Sequence, residues 1–136
     1  MTLDTFFRRS APYAVSFIRI LVGLLFFEHG TSKLFGFPAA SSPHPLFSLV
    51  WTAGMIELIG GALVTLGLFT RTAAFIVSGE MAVAYFMSHA PASFYPIVNR
   101  GDSAALYCLV FLGFVFAGAG PVSFDALWPS RRLPRA

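Results

Sequence analysis

The sequence predicts an all-α polytopic membrane protein, a four-transmembrane-helix bundle with both termini in the cytoplasm. Only 11% of the 136 residues are charged, 57% are hydrophobic and the mean hydropathy is +0.75. A water-soluble domain of this size has too little interior to hide so much apolar surface, so the composition indicates a lipid environment. Lipid offers no hydrogen-bond partner to an open sheet edge, and four segments cannot close a barrel, which leaves helices.

Four apolar runs are each close to the ~20 residues that an α-helix needs to cross about 30 Å of hydrocarbon. They cover residues 13–35, 47–69, 72–90 and 103–119, within a single domain that takes in residues 1–136. Gly36 and Pro38 end the first run, and Pro91 ends the third. Only Thr70 and Arg71 separate the second run from the third. These two helices are therefore predicted to be antiparallel neighbours in contact.

The distribution of arginines predicts the orientation of the helices. Six of them fall on one side of a four-span topology: Arg8, Arg9, Arg71, Arg131, Arg132 and Arg135. The first outer loop has no Lys or Arg, and the second carries Arg100 beside Asp102. The positive-inside rule then places both termini in the cytoplasm. A signal peptide is the competing interpretation of the first run, but that run is too long and is interrupted by Arg19 and Glu28.

The segment 123–128 is predicted to be a short interfacial helix. Ser123 can cap it, and Phe124, Leu127 and Trp128 share one face ahead of three arginines. The alternative is a plain solvated basic tail. The pI of 9.5 comes largely from the two termini, so it requires no nucleic-acid partner.

Three charges lie deep in the apolar runs: Arg19, Glu57 and Glu80. A charge at the bilayer centre costs about 3 kcal/mol on insertion scales, so each needs a partner or a ligand. Both carboxylates fall on small-residue faces, roughly 15 Å from the outer helix ends at ~1.5 Å per residue. We expect a buried proton or ion cluster in which Glu57 and Glu80 share protons and Arg19 supplies the cation, as candidate catalytic residues. The alternative is a cluster that only fixes helix register.

A second polar group is predicted near the outer surface, as a candidate ligand-binding site. Its members are His29, Lys33, His89, Arg100 and Asp102. The alternative is that these side chains merely end their helices, with Lys33 extending to the interface. Glu28 points away from Arg19 on the same helix, so it is predicted to contact a partner helix or subunit.

Several chemistries are excluded or left open by residue type and spacing. The single cysteine, Cys108, cannot form an internal disulfide, and the three histidines lack the spacing of a zinc site, so no metal is predicted. No phosphate-binding loop or nucleophile elbow is present, which removes nucleotide-binding and hydrolase functions. The 16 phenylalanines, four tyrosines and two tryptophans allow an aromatic slot for a quinone ring. A haem held by His29 and His89 is possible but less favoured.

A set of short motifs together resembles the DoxX family of small four-helix bacterial membrane proteins. They run from Arg19 and Gly23 through Glu28-His29-Gly30, Lys33-Leu34, Gly36-Phe37, Glu57, Gly60-Gly61, Leu66-Gly67-Leu68, Thr70-Arg71, Glu80-Met81, His89 and Asn99 to Gly118, Gly120, Pro121, Ser123 and Asp125. The resemblance covers most of the chain. One departure is that the family's usual Asn-Gly-Gly-Glu turn reads Asn99-Arg100-Gly101-Asp102 here, which keeps the acid and adds a cation.

The resemblance implies a multi-pass protein of the bacterial inner membrane, associated with sulfur or redox chemistry. Relatives include the small-subunit type of thiosulfate:quinone oxidoreductase, so quinone is the implied cofactor. The implied partners are the lipid bilayer and other membrane or peripheral redox proteins, or a second copy of the chain. Whether the chain is an enzyme by itself stays open. The competing hypothesis is a non-catalytic scaffold or assembly protein. A proton-coupled solute carrier is disfavoured by the short length and the absence of an inverted repeat.

Overall fold

The computed structural model describes residues 2–38 and 42–128, and within these ranges it is helical with no strand, which confirms the all-α prediction. The helices are α1 (Leu3–Phe35), α2 (Leu49–Leu66), α3 (Thr70–Ala84), α4 (Pro96–Asn99), α5 (Asp102–Ala117) and α6 (Phe124–Leu127). A π-helical turn, Tyr85–His89, continues α3. The arginines predicted to form a basic C-terminus, Arg131, Arg132 and Arg135, lie outside the described residues.

Two of these helices, α1 and α2, are long and apolar enough to cross a membrane, and α5 is a shorter apolar helix. The N-terminal helix begins at Leu3 rather than at residue 13, because local interactions stabilise an extra segment. The Thr2 side chain caps it by accepting a hydrogen bond from the Thr5 amide at 3.3 Å. Asp4 and Arg8, one turn apart, form an ion pair at 2.9 Å.

Glycines bring α1 and α2 together as a closely packed antiparallel pair. A Cβ added at Gly30 would lie 2.5 Å from the backbone nitrogen of Leu58, and one at Gly61 would lie 2.7 Å from the nitrogen of Phe27. A side chain larger than hydrogen does not fit at these positions. Membrane helices pack closely through such small residues, because lipid removes the hydrophobic driving force for helix association. Because the helices are antiparallel, a residue one position later on α1 contacts a residue one position earlier on α2.

A second pair is formed by α3 and α5, with Val77, Phe111 and Phe114 buried between the two pairs. The α1 helix meets α5 mainly through aromatic rings. Phe26 packs edge-on against Phe111, with ring centres 4.7 Å apart, and tilts against Tyr107 at 5.3 Å. The contact between α1 and α5 is thus made by side chains, whereas that between α1 and α2 is made by backbone.

The C-terminal helix α6 folds back onto the start of α3. Ser123 caps it as the sequence predicts, accepting a hydrogen bond from the Ala126 amide at 3.2 Å. The Asp125 carboxylate accepts hydrogen bonds from the amides of Phe69 at 2.8 Å and Thr70 at 2.9 Å. Burial acts to raise the pKa of Asp125, but the hydrogen bonds from Thr70 and Phe69, with the charge of Arg19, hold it below its usual value.

Candidate functional site

An interior cavity of about 130 Å³ lies between α1, α2, α3 and α5, near the end of the bundle that carries the α1–α2 connection. Its walls are formed by Phe26, His29, Lys33, Glu57, Met81, Ala84, His89, Ser103, Ala104 and Tyr107. The volume is that of about four water molecules at ~30 Å³ each. Three of the five residues predicted as ligand-binding therefore share a cavity with one of the predicted buried carboxylates.

The cavity contains an ion pair between two helices. Lys33 extends from α1 and donates from Nζ to Oε1 of Glu57 on α2 at 2.5 Å. The Glu57 side chain is 2% exposed and that of Lys33 is 29% exposed. The second carboxylate oxygen, Oε2 of Glu57, is buried without a hydrogen-bond partner among the described residues. Glu57 therefore points inward as predicted, and one of its two oxygens has no hydrogen-bond partner among the described residues.

Glu80 on α3 lies beside this pair. Both of its carboxylate oxygens are buried and make no hydrogen bond within the described part of the chain. The charges that act on Glu80 are those of Glu57 and Lys33. An ionised carboxylate without a donor is costly to bury, so this environment suits a carboxyl group that holds a proton.

The predicted position of Arg19 is wrong, because the structure separates it from both carboxylates. The register of α1 on α2 places Gly23 against Thr65 and Gly30 against Leu58, so Arg19 faces a point beyond the end of α2. Its guanidinium reaches back only to the carbonyls of Val64 and Thr65, seven and eight residues after Glu57, or roughly 11–12 Å along α2. Lys33, and not Arg19, is the cation that contacts Glu57.

Arg19 is instead fully buried among backbone carbonyl groups at helix ends. Its Nε donates to the carbonyl of Ala119 at 2.8 Å, and Nη1 donates to those of Val64 and Thr65, the latter at 2.6 Å. Nη2 donates to the carbonyl of Val122. These carbonyls follow α5 and end α2, and a planar guanidinium contacts several of them together. The Val64 carbonyl also accepts from the Gly67 amide at 3.1 Å, and the Ala119 carbonyl from the Ser16 hydroxyl at 3.4 Å. The role of Arg19 in the fold is to join these chain segments.

The π-helical turn places His89 in the cavity wall. Its Nδ1 lies 3.1 Å from the backbone oxygen of Asn99, which only accepts hydrogen bonds, so Nδ1 carries the proton. Asn99 is buried, and its side-chain nitrogen donates to the Tyr85 hydroxyl at 3.2 Å and to the Ser93 carbonyl at 2.6 Å. The orientation of His89 is thus fixed by a network that reaches into the loop before α5.

His29 and Tyr107 form a partition between the cavity and a second space. A groove of about 220 Å³ between α1 and α5 is lined by Leu25, Glu28, His29, Ser32, Pro38 and Tyr107. The His29 and Tyr107 rings meet edge to face, with centres 5.6 Å apart, and they are the two residues that line both spaces. Two aromatic side chains therefore lie between the cavity and the groove.

Comparison with known proteins gives the family. The DoxX family model matches residues 14–90, more than half of the chain. This chain belongs to the DoxX family. An uncharacterized protein of Haemophilus influenzae is 46% identical over 125 residues, covering 84% of this chain and 90% of that protein. No solved structure matches significantly.

The matched DoxX region carries Lys33, Glu57, Glu80 and His89 on α1 to α3 and the π-helical turn. Family membership identifies the chain as a membrane protein, in agreement with the apolar α1 and α2. Tyr107 and the other α5 residues complete the cavity from outside the matched region. The polar centre of the cavity therefore lies within the part of the chain that defines it as DoxX.

Two residues predicted to bind ligand, Arg100 and Asp102, do not line the DoxX cavity. Both are exposed, and Asp102 lies in the first turn of α5. Arg100 ends α4 with φ 59°, the left-handed conformation for which glycine is the usual residue. That conformation accounts for glycine in the family's usual turn. These two residues shape the loop and leave the cavity to His29, Lys33 and His89.

Glu28 is exposed and lines the groove, pointing away from the interior as predicted. No group of three metal-ligating side chains is found among the described residues. His29 and His89 both line the cavity of about 130 Å³.

Proposed function

We propose that this DoxX protein is a four-span inner-membrane subunit of a quinone-linked redox complex and that it binds a quinone headgroup in the interior cavity. The observation that carries the proposal is the cavity itself, in which the Lys33–Glu57 pair lies behind a partition of two aromatic residues. A buried ion pair with an unused oxygen is expensive to maintain for packing alone. A ligand that uses that oxygen offsets the cost.

Four spans agree with the surface of the bundle. Outside the two longest helices, α3 and α5 also expose large apolar side chains, including Phe75, Ile76, Val83, Leu106, Leu109 and Phe116. Such continuous apolar exposure suits a lipid-facing wall. The α3 helix and its π-helical turn together cover residues 70–89, close to the ~20 residues that a span requires.

The groove between α1 and α5 supplies a route for a lipid-soluble ligand. Quinones partition into the bilayer, so their headgroups reach such a site from the side. Rotation of His29 and Tyr107 joins the groove to the cavity, and the joined space enters the ~300–1,000 Å³ range of ligand pockets. The aromatic faces of Phe26 and Tyr107 then suit a flat ring.

The two carboxyl groups supply the proton chemistry. Reduction of a quinone to a quinol takes up two electrons and two protons. Glu57 lies in the cavity wall and Glu80 lies beside it, so both are placed to hold protons close to the ring. The electrons come from a partner redox protein, and Glu28, exposed on α1, is our candidate contact with that partner.

Equilibrium binding tests this function. We expect the protein in lipid nanodiscs to bind a short-chain benzoquinone saturably, by calorimetry. Ala84 lines the cavity, so Ala84→Phe places a large ring in it. The neighbouring Val83 is 54% exposed, and Val83→Phe is the matched control. Binding is expected to weaken at least tenfold in the first variant and to persist in the second. Absence of saturable binding to the wild type contradicts the proposal.

A non-catalytic scaffold is favoured by one observation, the use of Arg19 solely to hold backbone carbonyls. A scaffold function assigns no role to the oxygens of Glu57 and Glu80 that lack hydrogen-bond partners among the described residues. If the protein is a scaffold, Glu28→Leu is expected to disrupt assembly with partner proteins, as measured by cross-linking in native membranes. Variants in the cavity are then expected to change the binding of no small ligand. Loss of assembly together with absent quinone binding is the result that selects the scaffold.

A further inference from the structure

We infer that the interior cavity exchanges protons and small ions with one side of the membrane only, the side on which the α1–α2 connection and α4 lie. This inference rests on the four-span bundle of the proposed function, and it holds for any occupant of the cavity. Two observations support it. The cavity reaches the surface at one end of the bundle, whereas packed side chains and a crossing chain segment close the other end.

The open end lies where α1 and the π-helical turn end and where α5 begins. Ser103, the second residue of α5, lines the cavity and is exposed, so the cavity reaches the surface there. Lys33 is two residues before the end of α1, and its side chain is 29% exposed. It donates to Glu57, whose side chain is 2% exposed. One side chain therefore contacts both the surface and a buried carboxylate.

Both interior carboxyl groups lie at the inner end of this opening. Glu57 is eight residues after the start of α2, and Glu80 is nine residues before the end of the π-helical turn, so both are about 12–14 Å from that end of the bundle. Oε2 of Glu57 and both oxygens of Glu80 are buried and make no hydrogen bond within the described residues. The polar route from the surface thus ends at two groups that can bind and release a proton.

An apolar layer separates the carboxyl groups from the other end of the bundle. Its large members are fully buried and belong to one packed cluster: Phe26, Val64, Val77 and Phe111. A Cβ added at Gly60, three residues after Glu57, would overlap the Val77 side chain. Ser78 is a hydroxyl in this region, and it already donates to the Cys108 carbonyl at 2.8 Å. An ion that enters such a layer loses its hydration without replacement.

The chain itself closes the far end of the bundle a second time. Residues 118–123 cross that end between α5 and α6, and a Cβ added at Gly120 would overlap the Ser16 hydroxyl on α1. Arg19 is fully buried beside this segment and donates to two of its carbonyl groups. A fixed guanidinium charge at this point also repels any other cation that approaches from that side.

The one-sided opening determines where the protons of the proposed reaction go. Reduction of a quinone in the cavity takes up two protons, and oxidation of a quinol releases two. In the orientation predicted from the arginines, with the N-terminus in the cytoplasm, these protons are exchanged with the outer side of the membrane. A cavity open to the cytoplasm would exchange them with the opposite side, so the two arrangements have opposite effects on a proton gradient.

Thiol accessibility in oriented membrane vesicles tests this inference. In a Cys108→Ser background, Ala84→Cys places the thiol in the cavity wall, and Val77→Cys places it two turns away on the same helix, in the apolar layer. Two exposed positions, Ala92→Cys and Arg9→Cys, mark the two sides of the membrane. Ag⁺ is added to one side in chloride-free buffer. The thiols that it has blocked are counted by mass spectrometry after denaturation and alkylation of the remaining free thiols.

Silver suits this test because it is a small ion that binds the thiolate and so displaces the thiol proton. We expect Ala84→Cys to react at least tenfold faster from the side that reaches Ala92→Cys than from the side that reaches Arg9→Cys. From either side, Val77→Cys should react at least tenfold more slowly than Ala84→Cys does from its favoured side. Ser103→Cys, at the exposed rim, should show the same one-sided reaction and replaces Ala84→Cys if that variant does not fold.

The outcomes separate this inference from the proposed ligand. Equal reaction of Ala84→Cys from both sides, faster reaction from the Arg9→Cys side, or no reaction from either side overturns the inference. Quinone binding is unaffected by these results, since it is measured in nanodiscs that are open to both sides. One-sided reaction without quinone binding rejects the proposed ligand and supports the inference. If Ala92→Cys and Arg9→Cys react from the same side, the four-span bundle is wrong and both fall.

Discussion

Lys33 on α1 and Glu57 on α2 are joined by a 2.5 Å ion pair next to the closest packing of the two helices. A Cβ at Gly54, three residues before Glu57, would lie 3.0 Å from the Cβ of Lys33. The absence of a side chain at Gly54 lets the lysine run along α2 toward the carboxylate. The small-residue face thus serves two purposes, since it packs the helices and positions the pair.

Loss of the lysine is expected to destabilise the fold. Lys33→Met leaves the buried Glu57 carboxylate without its cation, and breaking such a pair by removing one partner costs about 3 kcal/mol or more. The midpoint of thermal unfolding in detergent should fall clearly. If the variant unfolds at the wild-type temperature, the ion pair does not contribute to the stability of the fold.

The double variant Lys33→Met with Glu57→Gln serves as the control. It removes both charges, so it is expected to recover a substantial part of the stability that Lys33→Met loses, as coupled neighbours do in a double-mutant cycle. Additive losses in the two single variants would show that these residues do not interact.

Arg19 should be irreplaceable by lysine. Arg19→Met removes a donor from the carbonyls of Ala119, Val64, Thr65 and Val122. The Gly67 amide and the Ser16 hydroxyl still contact those of Val64 and Ala119, so the cost is expected mainly at Thr65 and Val122, at about 1–3 kcal/mol for each buried group left unsatisfied. Arg19→Lys is expected to restore little, because an ammonium lacks the planar fork of donors. Urea-gradient or thermal unfolding measures both. Arg9→Met, at an exposed position, should stay within about 0.5 kcal/mol of wild type.

Two glycine substitutions should have opposite effects. Gly30→Ala puts a methyl group 2.5 Å from the Leu58 nitrogen and forces α1 from α2, at a cost of about 1–3 kcal/mol. Gly113 on α5 has nothing within 4 Å of the added Cβ, so Gly113→Ala should be neutral or stabilising by up to about 1 kcal/mol. Thermal unfolding of the two variants side by side compares them, and equal destabilisation would refute the α1–α2 register.

The docking of α6 is expected to weaken at acidic pH, because it depends on the ionised carboxylate of Asp125. The pKa of Asp125 is lowered in the fold, so its contribution to stability is present above its unfolded value of 3.8 and is lost as the pH falls through the folded value. Asp125→Asn should therefore be less stable than wild type at pH 7, and the difference should shrink below about pH 3.8. A difference that is constant between pH 7 and pH 3 would show that the carboxylate charge is unimportant.

The helices and the inward faces could be predicted from the sequence, because they depend on local periodicity. Glu57 and the glycine stripe of α1 point to the interior for that reason. The partner of Glu57 could not be predicted, since it depends on how far α2 slides along α1. The connection at 36–48 is long enough to allow several registers, and the glycine contacts select the one that brings Lys33 to Glu57.

The environment of Arg19 could not be predicted from the sequence for a different reason. Its partners are backbone carbonyls, which every residue has, and they become available only where α2 ends and where the chain turns at Gly118 and Gly120. Residue type does not mark such acceptors. The π-helical turn at Tyr85–His89 could not be predicted from the sequence either, although it places His89 in the cavity wall.

Native mass spectrometry of the protein, purified from its own membranes in mild detergent, tests quinone binding in the interior cavity most directly. Wild type and Val83→Phe are predicted to carry a bound mass equal to that of a quinone or quinol of the host membrane, and Ala84→Phe is predicted to have lost it. A wild-type spectrum without such a mass, or equal retention by Ala84→Phe, would contradict the account.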